Sequence, residues 1–209
     1  DHVLNAESLN LFSRFIYIKK EGIESDIVKL YFENFIEACY ENLESDFSGV
    51  YNKIIKKDLS FYDENMTERK IFFDWMASQS FRTIGIQEGI IKIFKENNGI
   101  DISNTAPIIC MLMSLNLSTS LFYQNPAPNI HLIENKTSLS FLTSDQPIIN
   151  LDSQGDVVSP NRFSWYYPVT PKLAVLVTED ARYKNFYEGE LSVDKIDFLN
   201  KKIIFFKNR

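Results

Sequence analysis

The stretch "NPAPN", residues 125–129, divides the sequence into two halves of different character. Before it, apolar residues recur every three or four positions, which is typical of helices that bury one face. After it, apolar residues come in short runs bounded by turn residues, which favours strands. The two prolines cannot continue a helix, because proline lacks the amide hydrogen that a helix interior uses. We therefore expect a helical lobe over residues 1–124 and a sheet lobe over residues 125–209.

The helical half contains four segments with helical periodicity. They cover residues 25–57, a stretch that begins at Thr67, "GIQEGIIKIFKENNG" at 85–99, and 106–123. Glycine after two asparagines predicts a left-handed stop for the third helix at Gly99. The sequence also predicts a kink or break at Gly49 and a loop over 58–65.

The sheet half contains five candidate strands and one closing helix. The strands are "IHLIE" (130–134), "SLSFLTS" (138–144), "PIINLD" (147–152), "FSWYYPVTP" (163–171) and "KLAVLVTE" (172–179), and the helix is "VDKIDFLNKKIIFF" (193–206). Helices first, then a mostly antiparallel sheet, then a C-terminal helix is an α+β arrangement. At 209 residues the chain is expected to form a single domain over 1–209.

The composition indicates a folded, acidic protein. Hydrophobic residues make up 44% of the chain and the formal net charge is −6, so a full core is available and disorder is disfavoured. Nucleic-acid binders usually present a basic face, because phosphate contacts dominate their affinity. The basic clusters here are short pairs, namely Lys19-Lys20, Lys56-Lys57 and Lys201-Lys202. We therefore expect no extended basic nucleic-acid surface.

Cysteine usage favours a reducing compartment. Cys39 and Cys110 are the only cysteines, and both lie in apolar surroundings where a buried free thiol is the ordinary interpretation. The start of the sequence does not resemble a signal peptide. Its longest apolar segment, 106–123, is interrupted by Ser and Asn and is predicted as a buried helix. The sequence thus predicts a cytoplasmic protein without membrane contact, and it leaves partners unknown and a homo-oligomer among the open alternatives.

Several common catalytic chemistries lack their signatures. His2 and His131 are the only histidines and have no Cys, Asp or Glu at ligand spacing, which disfavours a His-based zinc site. Neither cysteine has a cationic neighbour in sequence that would activate a thiolate. The GxSxG, P-loop and GxGxxG motifs are absent from the sequence.

One polar cluster interrupts the second helix at "DWMASQSFRT", residues 74–83. Gln79 and Arg82 are three positions apart and therefore lie on neighbouring parts of one helix face, next to an apolar stripe. A buried guanidinium must find a partner, because an unpaired charge in the interior is very costly. The pair is either a structural link to the sheet or a clamp for an anion, since Arg presents a fork that suits carboxylate and phosphate.

A second polar cluster follows an apolar run in "SFLTSDQPIINLD", residues 140–152. Ser and Asp before Pro are ordinary turn residues, because their side chains accept hydrogen bonds from the nearby backbone. A carboxylate at a strand end that faces a helical lobe is also a common position for an active-site acid, base or metal ligand. Both interpretations of Asp145 stay open at this point.

Three ordered motifs resemble the DUF4238 family of mainly bacterial proteins. They are Gln79-Ser80-Phe81-Arg82-Thr83, Thr143-Ser144-Asp145-Gln146-Pro147 and Pro168-Val169-Thr170-Pro171, and "NLESDFSGVYNKI" (42–54) is similar to a family helix that carries a glutamate, here Glu44. Ile84 replaces a proline and Gln146 an asparagine of the family pattern. At "DHVLNAE" the family's His-Tyr-Val-Pro-like motif is missing, so the chain either begins after it or diverges there. The activity of the family is unassigned, so the resemblance implies site residues and no reaction.

The leading hypothesis places Glu44, Gln79 and Arg82 around Asp145 at the mouth between the lobes. In it the protein is a hydrolase or nuclease-like effector: Arg82 binds an anion, while Asp145 and Glu44 hold a divalent metal or act as acid and base. Thr143, Ser144 and Gln146 would contact the substrate. The alternative is a non-enzymatic interaction module in which Arg82 and Asp145 form a structural ion pair and Trp165-Tyr166-Tyr167 forms the exposed binding surface.

Overall fold

The computed structural model describes residues 25–153 and 163–207, with side chains described over 36–153 and 163–206. The expectations for "DHVLNAE" and Lys19-Lys20 lie outside these residues. The helices in this part are α1 (Ser25–Ile55), α2 (Ser60–Asp63), α3 (Met66–Phe81), α4 (Ile84–Asn98), α5 (Ala106–Tyr123), α6 (Lys184–Tyr187) and α7 (Val193–Lys207). The strands are β1 (Ile130–Glu134), β2 (Ile149–Asn150), β3 (Ser164–Thr170) and β4 (Leu173–Thr178), and a 3₁₀ turn spans Ala181–Tyr183.

The four strands form one antiparallel sheet in the order β1-β4-β3-β2. Among the described residues, five helices precede it and α7 follows it, so the α+β fold with a closing C-terminal helix is confirmed. Alternate side chains of the strands point to opposite faces. Trp165, Tyr167 and Val175 join the core formed with α1, α3 and α5. Tyr166 and Leu176 join the core beneath α7.

The helical and sheet lobes therefore share a core, and the sheet lies between the helical lobe and α7. This shared core supports the single-domain expectation, which stays a prediction. The aromatic run Trp165-Tyr166-Tyr167 is buried on both faces of β3, so the expectation that it forms an exposed binding surface is wrong. Period-2 alternation divides these large rings between the two cores and removes them from water.

Local signals explain several helix ends. The Asn65 side chain caps α3 by accepting hydrogen bonds from the backbone N–H groups of Thr67 and Glu68, each at 3.1 Å. Gly99 ends α4 in the left-handed conformation at φ 65°, as predicted. The predicted break at Gly49 is wrong, because α1 continues to Ile55. The neighbouring Phe47 and Val50 are buried in the core, and this packing outweighs the weak helix propensity of one glycine.

Part of the predicted loop at 58–65 is the short helix α2, which buries Phe61 and Tyr62.

The helix 106–123 is confirmed at both ends as α5, but it is only 33% buried, so the expectation of a buried helix is too strong. Within the described residues, α5 is the one helix long and apolar enough to cross a membrane by length and composition. Core helices of soluble proteins meet the same criterion, and the cytoplasmic location stays a prediction.

The predicted strand at 138–144 is wrong, because three of its backbone groups bind side chains and no ladder forms with a neighbouring strand in the described part of the chain. The Asn200 side chain of α7 accepts a hydrogen bond from Leu142 N at 2.8 Å and donates one to Ser140 O at 2.9 Å. The Asn135 side chain donates to Leu139 O at 2.6 Å. Phe141 N also donates to the backbone carbonyl of Pro171 at 3.0 Å, so two amides and one backbone bond hold the segment without a strand ladder. The predicted strand at 147–152 is reduced to Ile149–Asn150.

Candidate functional site

The C-terminal end of α3 brings together two of the residues that the family resemblance singles out. Arg82 follows α3 directly, and its Nη1 donates a hydrogen bond to Oε1 of Glu44 on α1 at 2.8 Å. The side chains are 39% and 49% exposed, so the ion pair lies at the surface. The guanidinium carbon of Arg82 also lies 5.3 Å from the centre of the Tyr40 ring. A salt bridge and a cation–π contact thus hold the guanidinium in one place.

The other predicted site residues are less closely associated. Gln79 is buried at 7% exposure, and its side chain forms no hydrogen bond with the described residues. Asp145 is exposed and forms neither a hydrogen bond nor an ion pair within 25–153 and 163–207. Arg82 pairs with Glu44, so the Arg82–Asp145 ion pair expected in the alternative hypothesis is wrong. Of the four residues in the hypothesis, the structure joins only Glu44 and Arg82 by a direct contact, and neither contacts Asp145.

The turn at residues 143–147 shows local hydrogen bonding. The Ser144 hydroxyl donates to Gln146 O at 3.1 Å and accepts from Gln146 N at 3.2 Å, while Thr143 is exposed. These contacts agree with the turn interpretation, in which the Ser144 side chain takes the hydrogen-bonding role of a backbone group within the turn. Ser80 on α3 donates to Ile148 O at 3.5 Å, so the end of α3 lies against the chain just after this turn. A role of Thr143, Ser144, Asp145 and Gln146 in substrate contact stays a prediction.

A groove of about 350 Å³ runs between α1, α3 and α5 next to the Arg82–Glu44 pair. We call it the helical groove, and its walls include Tyr40, Leu43, Asp74, Ser78, Met111 and Ser118. Tyr40 connects the two features, because it lines the groove and also lies beneath Arg82. The ion pair therefore stands at the rim of a cavity whose volume falls in the usual range for small-molecule sites.

Polar side chains follow the α3 wall of the groove at helical spacing. Asp74, Ser78 and Arg82 are successive positions four apart, and such residues lie one above the other on a single face. Oδ1 of Asp74 accepts hydrogen bonds from Lys70 Nζ at 2.5 Å and from Ser118 Oγ at 2.6 Å. Ser78 is 4% exposed, and its Oγ has no hydrogen-bond partner among the described residues. A buried hydroxyl without a partner is unfavourable, so Ser78 is a candidate ligand contact.

Burial keeps the phenol and thiol groups near the groove protonated. Desolvation raises the pKa of Tyr40 to about 12, although the positive charge of Arg82 opposes this. Burial also raises the pKa of Cys39, which lines the groove, and raises that of Cys110 to about 11. At neutral pH Tyr40 is therefore a hydrogen-bond donor, and the two thiols lack the thiolate character that nucleophilic catalysis requires.

Sequence reasoning missed Asp74, Ser78 and Ser118. The four-residue spacing of Asp74 and Ser78 with Arg82 was a usable signal, since it predicts one polar stripe on α3. Ser114 and Ser118 interrupt the apolar α5 at the same spacing and predict a polar line that faces another helix. The contact of Asp74 with Ser118 joins residues 44 positions apart and could not be read from local spacing.

Metal binding was part of the leading hypothesis, with Asp145 and Glu44 as ligands. In the part of the chain that the structure describes, no group of three or more His, Cys, Asp or Glu side chains comes together. Glu44 is bound to Arg82, and no contact joins it to Asp145. The pair of carboxylates named in the hypothesis is therefore not gathered into one donor set.

The protein is thus a compact α+β protein in which a helical lobe packs on a small antiparallel sheet. Its candidate small-ligand site is a polar groove with an arginine–glutamate pair at the rim. The family model described as "Protein of unknown function (DUF4238)" matches residues 29–206. The chain belongs to this family, which confirms the resemblance found in the sequence. Comparison with curated proteins and with solved structures gives no match.

Proposed function

We propose that the protein binds a small anionic molecule at Arg82. The observation that supports this most is the state of the guanidinium, which one carboxylate and one aromatic ring hold in place at the rim of the groove. Only Nη1 is used by Glu44, and Nε and Nη2 have no hydrogen-bond partner among the described residues. A guanidinium has several N–H donors in a fixed plane, so the remaining ones suit a phosphate or carboxylate.

The surroundings of Arg82 favour binding in two ways. An arginine that is already ordered loses little side-chain entropy when a ligand arrives, and this loss otherwise weakens binding. Tyr40 is a protonated donor on the groove side of the guanidinium, so an anion at the rim has a neutral donor next to a charged one. Glu44 makes the pair neutral overall, which selects ligands that use directional hydrogen bonds rather than charge alone.

Replacing Arg82 by alanine is expected to weaken binding of a nucleoside monophosphate by about tenfold or more, because a charge-assisted hydrogen-bond pair is lost. Isothermal titration calorimetry of the full chain with cytidine monophosphate, at a fixed salt concentration, measures the effect. Arg82→Lys keeps the positive charge but lacks the planar guanidinium, so its affinity should lie between those of the wild-type and Arg82→Ala proteins. The matched control is Lys92→Ala, an exposed cation on α4 whose loss should leave affinity unchanged. Equal affinities of the wild-type and Arg82→Ala proteins would contradict the proposal.

A second candidate function, hydrolysis of an anionic ester, is supported by the position of Glu44. Its carboxylate lies 2.8 Å from Arg82 Nη1 and would therefore stand beside an anion held there. In the reaction, Glu44 takes a proton from water, the water oxygen bonds to phosphorus, and the ester oxygen leaves with its bonding electrons and takes up a proton from solvent. Asp145 is the residue that the sequence motif proposes as a further acid or base.

Glu44→Gln should abolish hydrolysis of bis(p-nitrophenyl) phosphate, because an amide cannot accept the proton, while Arg82 still binds the anion. Release of p-nitrophenol measures the rate, and calorimetry measures the binding. Asp145→Ala in the same assay tests the motif residue, whose loss should lower activity at an unchanged melting temperature. Undiminished hydrolysis in Glu44→Gln would remove Glu44 as the base, and no hydrolysis by the wild-type protein would leave the binding function alone.

A further inference from the structure

We propose that the ligand is a nucleoside phosphate whose base carries an exocyclic amino group. The phosphate lies at Arg82, the base lies in the helical groove, and the amino group donates to Asp74. This inference rests on the proposed binding function. It specifies the chemical group of the ligand that Asp74, at the far end of the groove, would bind.

The length of the site follows from the helix that carries it. Asp74 and Arg82 are eight positions apart on α3, so their backbone positions are ~12 Å apart at 1.5 Å per residue. Asp74 and Ser78 line the groove, and Arg82, on the same helix face, lies against Tyr40, which also lines it. A ligand that reaches both ends must carry an anion and a second polar group about 10 Å apart. Inorganic phosphate is too short, whereas a mononucleotide spans this length from phosphate to base edge.

The far end of the groove accepts hydrogen bonds. Lys70 and Ser118 both bind Oδ1 of Asp74, and Oδ2 has no partner among the residues that the structure describes. The Asp74 side chain keeps 20% exposure, so a ligand can reach it from the groove. A carboxylate oxygen accepts hydrogen bonds and cannot donate them, so it selects an N–H or O–H group. Carboxylates recognise the amino group of cytosine in this way.

The middle of the groove suits a sugar and a flat ring. Leu43, Met111 and Leu115 supply apolar surface, and methionine adapts its shape to planar ligands. Ser78 lies between the two polar ends with its buried Oγ unpartnered among the described residues, and a ribose hydroxyl would satisfy it. The volume of about 350 Å³ accommodates one mononucleotide.

The experiment is a calorimetric comparison of four probes on the full chain: cytidine monophosphate, uridine monophosphate, cytidine and inorganic phosphate. We expect cytidine monophosphate to bind about tenfold or more tightly than uridine monophosphate, because a carbonyl replaces the amino group that faces Asp74. Cytidine should bind more weakly than its monophosphate, since it cannot use Arg82. Adenosine and inosine monophosphates repeat the comparison with a purine.

The decisive variant is Asp74→Asn, because an amide can donate as well as accept. It should bring the affinities for cytidine and uridine monophosphates close to each other, a change of specificity that a merely structural role of Asp74 would not produce. Circular dichroism checks that the variant is folded. Asp63→Asn makes the same chemical change at an exposed residue of α2 outside the groove, and it should leave the affinity ratio as it is in the wild-type protein.

The outcomes separate the two proposals. Equal binding of the cytidine and uridine monophosphates, with both still sensitive to Arg82→Ala, overturns the inference and keeps the proposed function. If inorganic phosphate is the one probe of the four that binds, the inference is also overturned and the proposed function is kept. Equal affinity for cytidine and its monophosphate, unchanged in Arg82→Ala, overturns the proposed function. Absence of binding by all four probes overturns both.

Discussion

Replacing Phe72 by alanine is expected to lower the free energy of unfolding by about 3–5 kcal/mol. Phe72 is 0% exposed, and its ring lies 5.4 Å from Phe61, 5.6 Å from Phe73 and 6.1 Å from Tyr62 between centroids. The substitution removes a large apolar side chain from the shared core and leaves a cavity that the rigid surrounding rings fill only in part. Chemical denaturation with urea, followed by circular dichroism, measures the loss.

The control for this experiment is Phe198→Ala, the same change on α7 at a side chain that is 40% exposed. It should cost about 1 kcal/mol or less, because less apolar area is removed from the protein interior and no closed cavity forms. Comparable losses in the two variants would mean that the cluster around Phe72 is not the centre of the core. Such a result would also undermine the position of α3, on which Asp74, Ser78 and Arg82 depend.

Replacing Asn200 by alanine is expected to cost about 2–4 kcal/mol of unfolding free energy, because it leaves two backbone groups of the segment before the Asp145 turn without partners. Asn200 is 5% exposed and binds Leu142 N and Ser140 O at once. Its loss should also raise the rate of amide hydrogen exchange over residues 140–146, since the segment has no strand ladder to hold it. Hydrogen exchange with mass spectrometry measures this local effect.

Asn52→Ala is the matched control, since Asn52 is an exposed helical asparagine whose side chain forms no hydrogen bond among the described residues. This substitution should change the unfolding free energy by roughly 0.5 kcal/mol or less, with alanine slightly favoured by helix propensity. If Asn200→Ala were as mild as the control, the amide of Asn200 would not be what replaces the predicted strand at 138–144.

Single site residues could be predicted from short sequence motifs, whereas the contacts between distant residues could not. Arg82 was identified from the polar cluster at residues 74–83, and Glu44 came from the motif resemblance. Both were placed in one group around Asp145, but the direct ion pair between them, across 38 residues, was not predicted. The sequence grouped Arg82 with Asp145, because both are polar residues beside apolar elements. Asp74 and Ser118 were overlooked as well, since their partnership depends on how α3 packs on α5.

The α+β class, the bounds of α5 and the stop at Gly99 were predictable from the sequence alone. These features follow from periodicity, proline and glycine, which act within a few residues of chain. Three contacts came to light only in the folded chain: Glu44 beside Arg82, Asp74 with Ser118, and Asn200 in place of a strand partner for residues 140–142. These contacts join residues 38 to 60 positions apart in the sequence, and whether such residues meet is set by the packing of whole helices and sheets.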